Sequence, residues 1–289
     1  MNPYKSPLRY PGGKSALAPY VADLINHNNL ADCTYAEAYC GGAGVALELV
    51  TREVVQKALI NDADFRIYAF WRSVFQETEE LLKLLHDTPV HIREWHKQKA
   101  ILTDYRNHAP VIVGFAAFFL NRTNRSGILS GGPIGGYKQQ GPWTLTARFS
   151  KSDLASRIEF LAQYSNRIKP SNLDALVFLR QLRHKHPAAA RLFTYLDPPY
   201  YSMGDRLYLN YYSSNDHAQL ARHLSNQRSL KWLLSYDDVS PIRGLYARFR
   251  MVPASIAYHL QARKIGQELM IFAPTLSIPD SMLQSIRPN

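Results

Sequence analysis

The sequence predicts an α/β protein, in which a parallel sheet with helices on both faces is interrupted by a mostly helical insertion carrying a glycine-rich hairpin or loop. Two observations predict this class. Strand-like and helical segments alternate over the first 75 residues, and the same alternation returns after residue 191. Between them lie long helical segments without clear strand alternation. We therefore divide the 289 residues into an α/β part at 1–75, an insertion at 76–188 and a second α/β part at 189–289.

The composition excludes several classes of protein. Hydrophobic residues make up 46% of the chain and charged residues 20%, which is typical of a protein that buries a full core. The net charge of +11 favours a polyanionic partner, with nucleic acid the first candidate, although a generically basic protein would have the same charge. Cys33 and Cys40 are too few for a disulfide framework or a cysteine-based zinc site. No apolar run is long enough to cross a bilayer, so we expect a cytosolic protein that does not contact membranes.

The first α/β part begins with a helical pattern from Lys14 that ends at the polar cluster 27–29. A short apolar strand then leads into the turn EAYCGGAG at 37–44, and a helical segment follows it. A second strand, ALIND at 58–62, closes a βαβ unit, and an amphipathic helix is predicted at 65–75. A strand, a glycine-rich turn and a helix in this order are typical of nucleotide binding.

The Gly-Gly-Lys-Ser at 12–15 is disfavoured as a P-loop. A P-loop requires a glycine where this chain has Leu8, and it follows a buried strand. Only a few residues precede the glycine pair here, several of them proline. This stretch therefore needs another explanation.

The turn at 37–44 and the next strand together indicate an adenosine-containing cofactor. Asp62 follows Gly42 by twenty residues (62 − 42 = 20), the spacing at which a carboxylate holds ribose hydroxyls. In the alternative, the glycines only make a tight turn and Asp62 caps a helix.

One segment of the insertion differs from the helices around it. The stretch NRTNRSGILSGGPIGGYKQQGPW at 121–143 holds six glycines and two prolines, which predicts a loop or hairpin rather than a core element. An inserted subdomain beside the open edge of a parallel sheet forms a cleft, and such clefts bind substrates.

The sharpest feature is LDPPY at 196–200. An apolar strand ends at Asp197, and Pro198 and Pro199 then prevent the backbone from donating hydrogen bonds or continuing the strand. The Asp197 carboxylate and a prolyl carbonyl can together accept both hydrogens of an exocyclic amine, and Tyr200 offers a ring on which a base can stack. The alternative is an ordinary turn that ends a strand.

The remaining elements complete the second α/β part. Strands are predicted at 230–238, 254–259 and 268–272, and SSNDHAQL at 213–220 indicates a helix start that Asp216 stabilises. Three histidines of the insertion, His91, His96 and His108, lack metal spacing with carboxylates. They are assigned to surface or structural positions, and no metal is expected.

Taken in order, PLRYPGGKS, EAYCGGAG, LIND, LDPPY and LLSYDD resemble the Dam-like (DPPY-type) DNA adenine-N6 methyltransferases, which use S-adenosylmethionine. The resemblance covers residues 6–71 and 192–272, and it extends more loosely into FFLNRTNRSGI. It implies a Rossmann-like class I methyltransferase sheet, an insertion that recognises the target sequence, and double-stranded DNA as substrate. It also implies a bacterial cell or a virus-infected bacterial cell.

The resemblance further implies a cofactor site built from the N-terminal motif, the glycine turn, the ribose-binding carboxylate and the Asp-Pro-Pro-Tyr corner. Its members are Tyr10, Gly12, Gly13, Lys14, Glu37, Tyr39, Cys40, Gly41, Gly42, Gly44, Asp62 and Asp197. Two roles stay open for Lys14: pairing with the methionine carboxylate, or supporting the active-site carboxylate. Glu37-Ala38-Tyr39 departs from the commoner Glu-Pro-Phe form and puts only the local turn geometry in doubt.

The resemblance places catalysis at Asp197, Pro198, Pro199 and Tyr200. Asp197 and the Pro198 carbonyl would hold both hydrogens of adenine N6, and Tyr200 would stack on a base flipped out of the duplex. Tyr236 and Asp237 are candidates for another wall of the pocket, although a plain buried strand end explains them equally well.

The glycine-rich segment would contact DNA through residue types that bond phosphates or base edges. They are Asn121, Arg122, Asn124, Arg125, Tyr137, Lys138, Gln139 and Gln140. Each charged one is equally compatible with a solvated surface position. Methylation of cytosine N4 or of RNA adenine, and a silent DNA-binding protein on the same fold, remain alternatives. Asp197 favours adenine over cytosine. The sequence leaves open whether a cognate restriction endonuclease accompanies the protein.

Overall fold

The structure is a computed structural model that describes residues 6–9, 14–185, 191–202, 212–259 and 263–283. Seven strands form one sheet: β1 (Thr34–Glu37), β2 (Lys57–Asn61), β3 (Ile168–Ser171), β4 (Leu192–Leu196), β5 (Lys231–Asp237), β6 (Arg250–His259) and β7 (Arg263–Phe272). Their spatial order is β3-β2-β1-β4-β5-β7-β6. The α/β prediction is confirmed.

The sheet is parallel except at one side. β3, β2, β1, β4 and β5 run parallel, and β7 is antiparallel to both β5 and β6. Every residue of β4 is buried, as expected for a central strand covered on both faces. The chain moves outward from β1 in one direction and from β4 in the other, so the topological switch point lies where β1 and β4 end side by side.

Helices cover the sheet and build the insertion. They are α1 (Ala18–His27), α2 (Gly44–Thr51), α3 (Phe65–Gln76), α4 (Thr78–Asp87), α5 (Ile92–Thr103), α6 (Pro110–Thr123), α7 (Lys151–Ala162), α8 (Ala175–Lys185), α9 (Ser214–Ser225), α10 (Ser240–Leu245) and α11 (Asp280–Leu283). In the ranges that the structure describes, no helix is both long and apolar enough to cross a membrane.

Local chemistry explains where several helices begin. The predicted start of α9 is confirmed, because Ser213 and Asp216 form a reciprocal capping box. Asp64 caps α3 by accepting a hydrogen bond from the Arg66 backbone. A side chain at Gly114 of α6 would come within 2.6 Å of the Ala69 carbonyl oxygen, so glycine permits the close packing of α6 on α3.

Strand β3 was not predicted and lies inside the segment 76–188. This strand is short, contains Pro170, and buries only Ile168, so it shows no alternation of apolar and polar residues. Its position at the edge of the sheet, beside β2, tolerates the proline. The sheet therefore resumes before residue 188, while the division of the chain into three parts remains a prediction.

Candidate active site

Three carboxylates predicted from sequence meet at one edge of the sheet. Glu37 ends β1, Asp62 follows β2, and Asp197 follows β4. These strands are parallel neighbours, so their carboxyl ends lie side by side at the switch point.

A buried lysine lies among the acidic groups. The Lys14 ammonium donates hydrogen bonds to the Glu268 carboxylate and to the Tyr200 hydroxyl, and it lies 3.5 Å from Asp197 Oδ1. Tyr200 also donates to Glu268. The lysine and Glu268 side chains are 5% and 1% exposed, so water screens their interaction little. In this arrangement Lys14 supports the carboxylates of the corner.

Asp197 is oriented from the neighbouring strand. Ser235 of β5 donates a hydrogen bond of 2.9 Å to Asp197 Oδ1, and the hydroxyls of Ser235 and Tyr195 lie 2.8 Å apart. Burial raises the pKa of Asp197, and Lys14 and Ser235 oppose that rise. Burial likewise raises the pKa of Glu268, with Lys14 opposing it. Two acidic groups thus compete for one ammonium.

Asp237, at the end of β5, holds the backbone that follows the Asp-Pro-Pro-Tyr corner. Asp237 accepts hydrogen bonds from the backbone of Tyr201 and Ser202, both at 2.9 Å, and from the Ser202 hydroxyl at 2.6 Å. Tyr236 is fully buried, and its hydroxyl lies 2.7 Å from His217 Nδ1. Asp237 therefore fixes the backbone that follows Tyr200, and the Tyr236 ring is buried beside His217.

The glycine turn at 37–44 is hydrogen-bonded to Asp62. Gly41 has a φ of 44°, and its N–H donates to Asp62 Oδ2 at 2.9 Å while its carbonyl accepts from Trp71 Nε1 at 2.8 Å. The backbone of Asp64 donates to the other oxygen of Asp62 at 2.9 Å. Asp64, not Asp62, is the cap of α3. Burial raises the pKa of Asp62 to about 7.

The other members of the turn are closely packed. Cys40 and Gly42 are buried, and a side chain at Gly44 would come within 3.1 Å of Ser15 Cβ. The Tyr39 hydroxyl lies 2.7 Å from that of Tyr212. The prolines of the corner, Pro198 and Pro199, are buried and half-buried, respectively.

Glu37 has an unsatisfied oxygen. Its Oε2 is buried and lacks a hydrogen-bond partner among the residues that the structure describes. Burial raises its pKa well above the usual range, with Asp197 adding to the effect. A buried acceptor without a partner fits a ligand that carries ammonium or hydroxyl donors. The turn thus fits S-adenosylmethionine, the cofactor that the resemblance implies. The other predicted cofactor-binding residues, Tyr10, Gly12 and Gly13, lie outside the described residues.

One family model matches residues 10–260, and its description is D12 class N6 adenine-specific DNA methyltransferase. The chain belongs to this family. The match covers most of the chain, including the N-terminal motif, the glycine turn, the insertion and the Asp-Pro-Pro-Tyr corner. A search of curated proteins found no match.

Two asparagines predicted to contact DNA in this D12 methyltransferase face inward. Asn121 lies in the last turn of α6, where its amide bonds both the N–H and the carbonyl of Arg9, at 2.6 and 2.8 Å. Asn124 accepts from Trp95 Nε1 at 2.7 Å and donates to the Ile128 carbonyl at 2.8 Å. Both are at most 1% exposed. The prediction of a loop or hairpin is thus wrong for Asn121, because the helix continues to Thr123, whereas Asn124 follows the helix and pairs with Pro133 in an antiparallel bridge.

Arg122 is also held within the chain. Its guanidinium donates to the carbonyls of Arg148 at 2.8 Å and Pro7 at 3.4 Å. Burial, and then Arg9, lower its pKa to about 10. Gln139 points inward as well, bonding the carbonyl of Ile134 at 2.8 Å. These side chains brace the segment that carries the other candidates.

The remaining predicted contacts with DNA are at the surface. Arg125, Tyr137, Lys138 and Gln140 are exposed. Tyr137 stacks on His96 with ring centroids 5.9 Å apart. Their contact with DNA stays a prediction.

Sequence reasoning missed Glu268, Ser235 and Tyr195 of the site. Glu268 stands at the head of the apolar run ELMIF, and an acidic residue in a buried strand requires a partner. That signal was available. Ser235 lies in LLSYDD and Tyr195 in the strand that leads to Asp197, but a hydroxyl in a strand is compatible with many surroundings, so neither position indicated its partner.

Two of the three histidines considered above make contacts that indicate structural roles. His91 caps α5 by accepting from the Glu94 backbone at 3.0 Å. His96 packs on Tyr137. Across the part of the chain that the structure describes, no three potential ligands lie close enough to hold a metal ion.

Proposed function

We propose that this protein transfers a methyl group from S-adenosylmethionine to N6 of an adenine flipped out of a short duplex DNA sequence. Membership of the D12 family supports the adenine and the DNA. The single observation that carries the finer proposal is the Asp197 corner, where one oriented carboxylate and a prolyl carbonyl leave only acceptors for an amine.

Residues at the switch point would hold the cofactor. Glu37 Oε2 lacks a partner, Asp62 stands at the ribose position of the fold, and Tyr39 contributes a ring. S-adenosylmethionine, when bound, supplies an electrophilic methyl group on a positively charged sulfur. The buried carboxyl groups outnumber the buried ammonium at this edge, and a cationic ligand beside them would favour their ionised forms against the effect of burial.

Asp197 must be ionised to accept a hydrogen bond from an amine. Its position out of bulk water favours the protonated acid, and the Lys14 ammonium favours the carboxylate. Ser235 bonds Oδ1 and leaves Oδ2 for the substrate. With both hydrogens of N6 engaged by Asp197 and the Pro198 carbonyl, the nitrogen lone pair is less delocalised into the ring and becomes more nucleophilic.

Tyr200 would position the flipped base. Its hydroxyl is held by Lys14 and Glu268, which orients the ring beside the corner. An aromatic face stabilises an unstacked base whatever its sequence context. The same lysine therefore orders both the acceptor and the stacking ring.

The insertion supplies the surface for the duplex. Between Asp104 and Asp153 the chain contains no acidic residue. The basic residues in that interval are Arg106, Arg122, Arg125, Lys138, Arg148 and Lys151. This charge distribution suits a phosphate backbone. We assign target recognition to the insertion at 76–188 with its glycine-rich segment, in a protein that works in the cytosol of a bacterial or virus-infected bacterial cell.

The test is methylation in cells that lack adenine methylation. We would express the wild type, Asp197→Ala and a matched control, Asp23→Ala, whose side chain is exposed on α1. Sequencing at single-base resolution then reports N6-methyladenine and N4-methylcytosine. The expected result is N6-methyladenine at one short motif with the wild type and the control, and none with Asp197→Ala.

Two outcomes would contradict the proposal. Modified cytosine would assign the corner to a different amine. A folded wild type that modifies neither DNA base would favour RNA or a silent DNA-binding protein.

A further inference from the structure

One tryptophan differs from the others in its exposure. Trp143 is 68% exposed, whereas Trp71, Trp95 and Trp232 are at most 1% exposed. Among the described residues, the large hydrophobic side chains with high exposure are Trp143 and Tyr137, and both belong to the glycine-rich segment. Two exposed rings on one basic, glycine-rich segment indicate an interaction surface.

The backbone that carries Trp143 is held on both sides. The Gln139 amide donates to the Ile134 carbonyl at 2.8 Å and accepts from the Leu145 backbone at 2.9 Å. Leu145 is buried in the core. Gly135 has a φ of 80°, and a side chain there would come within 2.3 Å of the Trp143 carbonyl oxygen. The backbone on both sides of Trp143 is thus fixed, while its indole is exposed to solvent.

The same segment is anchored to the N-terminal motif. Asn121 bonds the backbone of Arg9, and a side chain at Gly127 would come within 2.2 Å of the Arg9 carbonyl oxygen. Arg9 is five residues before Lys14, which contacts the acidic groups of the active site (14 − 9 = 5). The glycine-rich segment that carries Trp143 therefore packs on Arg9, a residue close in sequence to Lys14.

The charged residues near Trp143 along the chain indicate the kind of partner that it binds. Lys138 and Arg148 flank it in sequence and are exposed, and the nearest acidic residue along the chain is Asp153. A protein partner of mixed charge would need acidic residues here to pair with its basic groups, and the chain has none near Trp143 in sequence. A polyanion with flat apolar rings matches both features.

We propose that the indole of Trp143 stacks against a base of the duplex DNA substrate. This inference rests on the proposed function, because it takes DNA as the substrate. Every base has a π-face, so the contact strengthens binding without choosing a sequence. The indole is a contact of the distorted duplex and does not touch the reacting amine.

Collisional quenching tests the contact directly. Since Trp71, Trp95 and Trp232 are buried, acrylamide quenching of tryptophan fluorescence reports mainly on Trp143. The probe is a duplex oligonucleotide carrying the motif that the methylation experiment identifies. We expect saturating duplex to lower the quenching constant of the wild type several-fold. In Trp143→Phe the constant should be low with or without DNA.

Substitutions separate stacking from simple apolar contact. Stacking by one aromatic ring predicts a loss of DNA affinity of roughly 5- to 150-fold in Trp143→Ala. Trp143→Phe should keep most of the affinity, and Trp143→Leu should resemble the alanine variant. Because the side chain is exposed, the melting temperature of each variant should match that of the wild type.

The outcomes are distinguishable. A methylating enzyme whose indole stays accessible in the DNA complex, or whose leucine variant binds as tightly as the phenylalanine variant, would overturn this inference alone. Protection that grows with protein concentration in the absence of DNA would identify a contact between copies and would also overturn it. A wild type that neither binds nor methylates duplex DNA would overturn the proposed function and this inference together.

Discussion

Replacing Lys14 with methionine is expected to move the acid limb of the methylation rate to higher pH. Methionine keeps the length and apolar stem of the side chain and removes the ammonium. Lys14 lowers the pKa of both Asp197 and Glu268 against the effect of burial. Without it, both groups hold their protons to higher pH, and protonated Asp197 cannot accept the amine with that oxygen.

The distance in the structure sets the upper limit. At 3.5 Å and an effective dielectric constant of about 20, a unit charge pair is worth about 4.7 kcal/mol (332/(20 × 3.5)), a factor of roughly three thousand in the ionisation constant. Asp197 is 21% exposed and shares Lys14 with Glu268, which reduces the effect. We expect the rate at pH 7 to fall by about 10- to 100-fold.

The assay is a pH–rate profile of methyl transfer to DNA, with Glu268→Gln as the matched variant. In the proposed mechanism activity requires the Asp197 carboxylate, so it is expected above the pKa of Asp197 and lost as pH falls through it. Lys14→Met should lose less activity at pH 9 than at pH 7. Glu268→Gln keeps the ammonium and removes its competitor, so its acid limb should not move upward.

An equal loss at every pH, with an unchanged acid limb, would refute this reasoning. It would instead favour the role of Lys14 at the methionine carboxylate, and the KM for S-adenosylmethionine should then rise. Thermal unfolding provides a check on folding. The buried carboxylates have raised pKa values, so Lys14→Met should lose stability relative to the wild type as the pH rises.

Three further predictions follow from the same geometry. Burial raises the pKa of Asp62 to about 7, and in the proposed site only its ionised form would accept from both ribose hydroxyls; cofactor affinity should therefore rise with pH through about 7 in the wild type more than in Asp62→Asn, as calorimetry would show. Ser235→Ala removes a 2.9 Å hydrogen bond to Asp197 and should lower kcat roughly 10- to 100-fold without raising the KM for DNA; a change confined to KM would contradict this. Arg125→Ala should reduce the salt dependence of DNA binding by about one phosphate contact, whereas Arg52→Ala, on the exposed end of α2, should not; equal slopes would count against contact by Arg125.

Some expectations failed for physical reasons that a sequence pattern does not contain. Asn121 and Asn124 are polar residues beside a glycine-rich stretch, which favoured an exposed loop. Their amides instead satisfy backbone groups of Arg9 and Ile128. Partners such as Arg9, more than a hundred positions away along the chain, are chosen by packing.

The sequence by itself determined the α/β class, the glycine turn and the carboxylates Glu37, Asp62 and Asp197. Each of these depends on local order, because a strand followed by a turn places its last residue at a predictable edge of the sheet.

Only the tertiary structure decided the partners of those residues. Glu268 meets Lys14 across 254 positions because β7 runs antiparallel between β5 and β6, with Glu268 opposite Asp237 at the active-site edge. Periodicity in a sequence reports which side chains are buried in a strand. It does not report which distant strand lies beside them, and that pairing determines the charge that surrounds Asp197.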